Sequence, residues 1–135
     1  MTGANREINA REQLERARVC LAESRALLAT GMPYGAASRA YYSVFHGASA
    51  LLFSVGIEAR THHGLAALIG SHFVRPGRLS PEMGRLLSRM QRDREDADYV
   101  MGAVFTQAEA SAMIDDAERF LREVERILGL GGAGG

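Results

Sequence analysis

Hydrophobic residues recur at intervals of three and four along most of the chain, the spacing of one face of an α-helix. The first run predicts a helix from about Asn5 to Thr30, ended by the turn Gly31-Met32-Pro33. The second predicts a helix from about Tyr34 to Val55, followed by a loop from Gly56 to Arg60. No stretch keeps the two-residue alternation of a β-strand for long enough to form one.

The next two helices are marked by start signals. Thr61 is a predicted N-cap for a short helix that extends to about Phe73. Ser80 followed by Pro81 is typical of an N-cap and the first position of a fourth helix. The hydrophobic pattern then loosens from Ala97 to Phe105, which indicates an irregular connection.

The last helix has the clearest boundaries. Thr106 and Glu109 form a capping box at its start, and Gly129 ends it. Together the five elements predict an all-α protein: an up-and-down antiparallel four-helix bundle with one short extra helix. We expect a single domain over residues 1–128 and a flexible glycine-rich tail at 129–135.

Length and composition agree with one soluble domain. The chain has 135 residues, of which 47% are hydrophobic and 24% charged. The longest apolar run, Ala50 to Ile57, is far shorter than the ~20 residues of a membrane span. The polar N-terminus is not a signal peptide, and the single Cys20 cannot form an internal disulfide. These features predict a cytoplasmic protein without a membrane association.

The charge of the chain is balanced overall but unevenly distributed. All 16 basic residues are arginine, which excludes chemistry that depends on lysine. The segment from Arg60 to Arg94 contains seven arginines and two acidic residues. The segment from Glu95 to Leu128 contains nine acidic residues and three arginines. This division suits phosphate binding on one side and a partner on the other. A solvated surface without a function is equally compatible with it.

The second predicted helix carries the most informative polar residues. Arg39 and His46 are seven positions apart, so they lie on one helical face two turns from each other. The small residues Ser43 and Ala50 share that stripe, and Tyr42 flanks it. Because the apolar stripe of the helix points elsewhere, we expect an open row of Arg39, Ser43 and His46.

An arginine and a histidine in this arrangement suit phosphate chemistry. Metal-free RNA cleavage needs a base for the 2′-hydroxyl proton, an acid for the leaving oxygen and a cation for the phosphorane. His46 can transfer protons near neutral pH, and Arg39 can bind phosphate through its guanidinium. One histidine provides only one proton-transfer group, whereas a homodimer that pairs this face would provide two. The alternative is that Arg39 pairs with an acid and His46 makes a packing contact.

Two further groups could contribute. His62 and His63 could extend a phosphate site or supply the missing acid, or they could be surface residues beside the Thr61 cap. Arg85, Arg89 and Arg92 share a face of the fourth helix and could bind RNA or nucleotide phosphates, or pair with the acidic last helix. With one cysteine and no HExxH motif, neither a metal site nor a cofactor is expected.

The ordered motifs ASRAYYSVFHGASALLFSVGIEARTHHGL, HFVRPGRLS, RxxxDADY and FTQAEASAMIDDAERFL resemble the HEPN domain family. More closely, they resemble its small stand-alone members, which are encoded beside minimal nucleotidyltransferases as toxin–antitoxin pairs. The resemblance extends from about Ala4 to Leu128. It implies a helical bundle that forms a homodimer and has a minimal nucleotidyltransferase as its partner.

The resemblance also implies a function. Many family members are metal-independent ribonucleases marked by an arginine, four to six residues and a histidine, a motif that Arg39 and His46 match. Asp98 and Tyr99 match the Asp-Tyr pair of the family, with a structural role as a cap or hydrogen-bonding partner. Some members carry a tyrosine two residues after the histidine that their partner modifies, where this chain has Ala48. The alternative function is a non-catalytic module that binds a nucleotide or its nucleotidyltransferase partner.

Overall fold

The computed structural model describes the backbone of residues 3–99 and 105–130. It describes the side chains of residues 3–95 and 105–130. The described ranges are helical and contain no strand, so the all-α prediction is confirmed. The loosened pattern before Phe105 falls largely outside these residues, as do residues 131–135 of the predicted tail. The five α-helices are α1 (Gly3–Ala29), α2 (Pro33–Ser54), α3 (His62–Ile69), α4 (Pro81–Tyr99) and α5 (Gln107–Leu128).

Most predicted helix boundaries lie close to the observed ones, but α4 continues to Tyr99, beyond the irregular connection predicted from Ala97. Local hydrogen bonds fix the boundaries that agree best. The Thr61 hydroxyl accepts a hydrogen bond from the backbone N–H of Gly64 at 2.8 Å, which caps α3. Thr106 and Glu109 cap α5 reciprocally. Gly129 ends α5 with a φ of 70°, a left-handed conformation that glycine adopts without steric cost.

The short third helix changes its hydrogen-bonding pattern before it ends. Residues Gly70–Val74 form a π-helical turn that continues directly from α3. The backbone N–H of Arg75 donates to the carbonyl of Gly70 at 2.9 Å, the five-residue spacing of a π turn. The sequence predicted helix to about Phe73, but it gave no signal for this widened turn.

Helix α2 lies at the centre of the bundle and packs against α1, α3, α4 and α5. Small residues allow these close contacts, and Ala36, Ala40 and Ala48 are completely buried. A helix with neighbours on several sides must bury more than one face. Helix α2 therefore does not have a single apolar face opposite a single polar face. No helix among the described residues is long and apolar enough to cross a membrane.

The central position of α2 contradicts one expectation. Ser43 and Ala50 are 0% exposed, so the predicted open row of Arg39, Ser43 and His46 is wrong at its middle. The Ser43 hydroxyl donates a hydrogen bond to the carbonyl of Ala17 at 2.9 Å, which joins α2 to α1. Arg39 and His46, at the two ends of the row, are partly exposed.

Candidate functional site

His46 is held in one orientation by a residue of the neighbouring helix. Its Nδ1 lies 2.9 Å from Oε1 of Gln13 on α1. Because an amide oxygen only accepts hydrogen bonds, Nδ1 carries the proton and donates it. The second ring nitrogen, Nε2, is then left with a free lone pair, the form in which an imidazole acts as a base.

His46 lies between two depressions in the surface. A cavity of about 160 Å³ is lined by His46, Gln13, Phe45, Phe53 and Glu58, among other residues. A second, wider depression of about 430 Å³ borders the opposite side of His46 and runs along α1. Val19 lines this second depression and is 51% exposed, which is high for a large apolar side chain.

The surroundings of His46 favour its neutral form. Burial lowers the pKa of His46 below its usual value near 6.5, and the positive charges of Arg16 and Arg39 lower it further. At neutral pH the imidazole is therefore uncharged and available as a base.

Arg39 is restrained but accessible. Its Nη1 lies 3.9 Å from Oε1 of Glu23, and 37% of its side chain is exposed. Its guanidinium also lies over the ring of Tyr42, 4.8 Å from the ring centroid. The structure thus brings Tyr42 beside Arg39, whereas Ser43 stays buried under α1.

An aromatic cluster connects His46 to the start of α3. Phe45 contacts the edge of His46 with ring centroids 5.3 Å apart, and it stacks on His62 at 4.4 Å. Nδ1 of His62 lies 2.5 Å from the hydroxyl of Tyr41. The sequence analysis did not identify Tyr41, Phe45 or Gln13 as site residues. The contacts of Tyr41 and Phe45 with His62, and that of Gln13 with His46, arise between helices, so no spacing along the chain indicates them.

The other predicted residues are less close to His46. His63 is exposed and its Nε2 lies 3.2 Å from Oε1 of Glu95, so it diverges from His62 as neighbouring helical residues should. The side chains of Asp98 and Tyr99 lie outside the described residues. Burial raises the pKa of the Cys20 thiol, which keeps it protonated at neutral pH. Among the described residues, no three His, Cys, Asp or Glu side chains are grouped to hold a metal ion.

Arg85, Arg89 and Arg92 of α4 border a groove of about 640 Å³ between α4 and the α3 segment with its π turn. Nη2 of Arg89 lies 2.9 Å from Oδ2 of Asp116, so this arginine pairs with the acidic last helix. Arg85 and Arg92 are exposed and form no ion pair with any residue that the structure describes. The two alternatives for this face were phosphate binding and pairing with the acidic last helix. Arg89 pairs with α5, whereas Arg85 and Arg92 form no such pair within the described residues.

Comparison with known proteins gives a consistent set of relatives. The profile of the HEPN domain family matches residues 10–127. The chain is 33% identical over 113 residues to a UPF0332 protein of Thermotoga maritima, covering 84% of this chain and 86% of that protein. It is also 33% identical over 93 residues to a Methanocaldococcus jannaschii protein named "Putative toxin MJ0605", covering 69% of each.

Proposed function

The chain belongs to the HEPN domain family, and we propose that it is the toxin component of a toxin–antitoxin pair, a metal-independent ribonuclease. Its antitoxin would be a minimal nucleotidyltransferase, as in the stand-alone family members that the motifs resemble. The toxin name of the Methanocaldococcus jannaschii relative supports the first part of this proposal.

The observation that carries the proposal is the orientation of His46. Gln13 accepts a hydrogen bond from Nδ1–H of His46, so the lone pair of Nε2 is available to act as a base. In the proposed reaction His46 Nε2 removes the 2′-hydroxyl proton and the 2′-oxygen attacks the adjacent phosphorus. The bond to the 5′-oxygen then breaks, while Arg39 stabilises the negative charge on the phosphorane.

The leaving 5′-oxygen needs a proton, which the His46 imidazolium formed by taking up the 2′-hydroxyl proton can return, and a homodimer would bring a second His46 to share the two transfers. A second copy packed against the α1–α2 surface would place His46 of the partner subunit in the same cleft. The exposed Val19 lines the depression beside His46 that such a contact would cover.

The test is an RNA cleavage assay with EDTA present. We expect the wild-type protein to cleave and His46→Ala to lose at least about 100-fold in rate, the usual contribution of a general base. His72→Ala is the matched control, because this histidine is exposed on the π-helical turn after α3 and should leave the rate unchanged. A fully active His46→Ala variant would exclude His46 as the base, and the absence of cleavage by the wild type on several RNAs would exclude the nuclease.

The groove on α4 is the proposed contact for the RNA backbone. Arg85 and Arg92 form no ion pair within the described part of the chain, whereas Arg89 pairs with Asp116. We expect the Arg85→Ala/Arg92→Ala double variant to reduce the slope of log affinity against log salt by about two, one for each lost phosphate contact. Arg89→Ala should change it less. An unchanged slope in the double variant would place the RNA elsewhere.

A second candidate is the non-catalytic module that binds a nucleotide or its partner. It is favoured by the position of Glu23, whose carboxylate lies 3.9 Å from Arg39 and offsets part of the charge that a transition state would use. This function predicts measurable nucleotide affinity that falls in Arg39→Ala, without RNA cleavage. Isothermal titration calorimetry of a nucleotide into the wild type and into Arg39→Ala, together with the RNA cleavage assay, distinguishes the binding module from the ribonuclease.

A further inference from the structure

We propose that His62 is a phosphate-binding residue of the same site as His46, and that Tyr41 fixes it as a neutral hydrogen-bond donor. The ligand is an RNA phosphodiester, bound through Nε2–H of His62 without proton transfer. This inference rests on the proposed ribonuclease function, because it names a further residue that holds the same substrate.

The first step concerns the hydroxyl of Tyr41. Tyr41 is 1% exposed, so its O–H hydrogen needs a partner within the protein. Among the described residues, the acceptor that the structure offers is Nδ1 of His62 at 2.5 Å. Burial raises the pKa of Tyr41 far above its usual value, so the hydroxyl keeps its proton and donates it.

The second step follows from the chemistry of imidazole. A ring whose Nδ1 accepts a hydrogen bond has no proton there, so neutral His62 carries its proton on Nε2. A protonated His62 would require Tyr41 to accept and would leave a buried O–H hydrogen without an acceptor, which is unfavourable. Burial, together with the positive charge of Arg94, also lowers the pKa of His62 and keeps the ring neutral.

The third step is the position of His62 relative to His46. Both rings contact Phe45, at centroid distances of 4.4 and 5.3 Å, so they cannot be farther apart than those two distances together. Their hydrogen bonds give them complementary forms. His46 donates through Nδ1 and can accept at Nε2, whereas His62 accepts at Nδ1 and can donate through Nε2.

The surroundings of His62 also favour an anion. The ring of Tyr42 lies edge-on to that of His62, with centroids 6.3 Å apart. The guanidinium carbons of Arg39 and Arg94 lie 4.8 and 4.9 Å from the centroid of the Tyr42 ring. The negative charge of Glu95 also acts on His62 and raises its pKa. This carboxylate is engaged by other groups, because its Oε1 lies 3.2 Å from Nε2 of His63 and 3.3 Å from Nε2 of Gln91. A phosphate at His62 would therefore lie in a positive, partly aromatic environment that suits RNA.

The first test measures the tautomer of His62 directly by long-range ¹H–¹⁵N NMR at pH 7.5. We expect the Nε2–H form in the wild type and a mixture of both tautomers in Tyr41→Phe, which keeps the ring but removes the hydroxyl. An Nδ1–H form of His62 in the wild type would overturn the proposal. This outcome does not depend on whether the protein cleaves RNA, so it is separable from failure of the proposed function.

The second test measures affinity for a short single-stranded RNA by fluorescence anisotropy in EDTA. We expect His62→Ala to bind about tenfold more weakly, the usual effect of losing a hydrogen bond to a charged group. His62→Gln, whose amide N–H can still donate, should recover part of the affinity. The exposed His72→Ala, on the π-helical turn after α3, should bind like the wild type. Unchanged affinity in a folded His62→Ala variant would overturn the proposal.

Discussion

Replacing Arg39 by alanine should lower the rate of metal-independent RNA cleavage by about 1000-fold, the usual cost of removing one donor to a transition-state oxyanion. The reason is that negative charge develops on the phosphorane oxygens, and the guanidinium of Arg39 can stabilise that charge. Arg39 also retains enough exposure for its guanidinium to reach a bound phosphate. The measurement is a single-turnover rate with EDTA present.

The variant Arg39→Lys tests whether the rate depends on the positive charge alone or also on the shape of the guanidinium. Lysine keeps the positive charge but lacks the planar pair of N–H donors that match a phosphate, so we expect a rate between those of the wild type and Arg39→Ala. Arg25→Ala is the matched control, because Arg25 pairs with Glu118 on α5 and lies outside the motif. Full activity of Arg39→Ala would mean that another group stabilises the phosphorane.

Gly47→Leu should destabilise the fold strongly, with a loss of about 3 kcal/mol in the free energy of unfolding, the upper range for overpacking a core. Gly47 is the residue after His46 and lies on α2 where α5 approaches closely. A Cβ atom there would lie 2.7 Å from Cδ2 of Leu121 and 3.4 Å from the ring of Phe120. Both side chains are buried in the core, so neither can move away easily.

Gly70→Leu is the matched control for Gly47→Leu. Gly70 is also helical, but no atom lies within 4 Å of the position that its Cβ would occupy. We expect this variant to be at least as stable as the wild type, since replacing a helical glycine improves helix propensity. Urea denaturation of both variants gives the comparison. Equal stability of the two would show that α2 and α5 can separate at Gly47 without cost.

The sequence by itself determined the helices of the described residues and their boundaries. Caps such as Thr61 and Thr106 act on backbone groups within one turn, and glycines such as Gly129 end a helix through their own φ angle, so both signals are local. The repeat of apolar residues also identified the side of α2 that contains Tyr41 and Val44 as core. Local interactions and helical periodicity are readable without knowing the partners of a helix.

The environment of the candidate site was decided by tertiary structure. Periodicity places Arg39, Ser43 and His46 on one face, but only the packing of α1 buries Ser43 and leaves the ends accessible. The hydrogen bond from His46 to Gln13 and that from Tyr41 to His62 join residues 33 and 21 positions apart. Contacts at such separations depend on how helices pack, and the spacing within one helix contains no record of that packing.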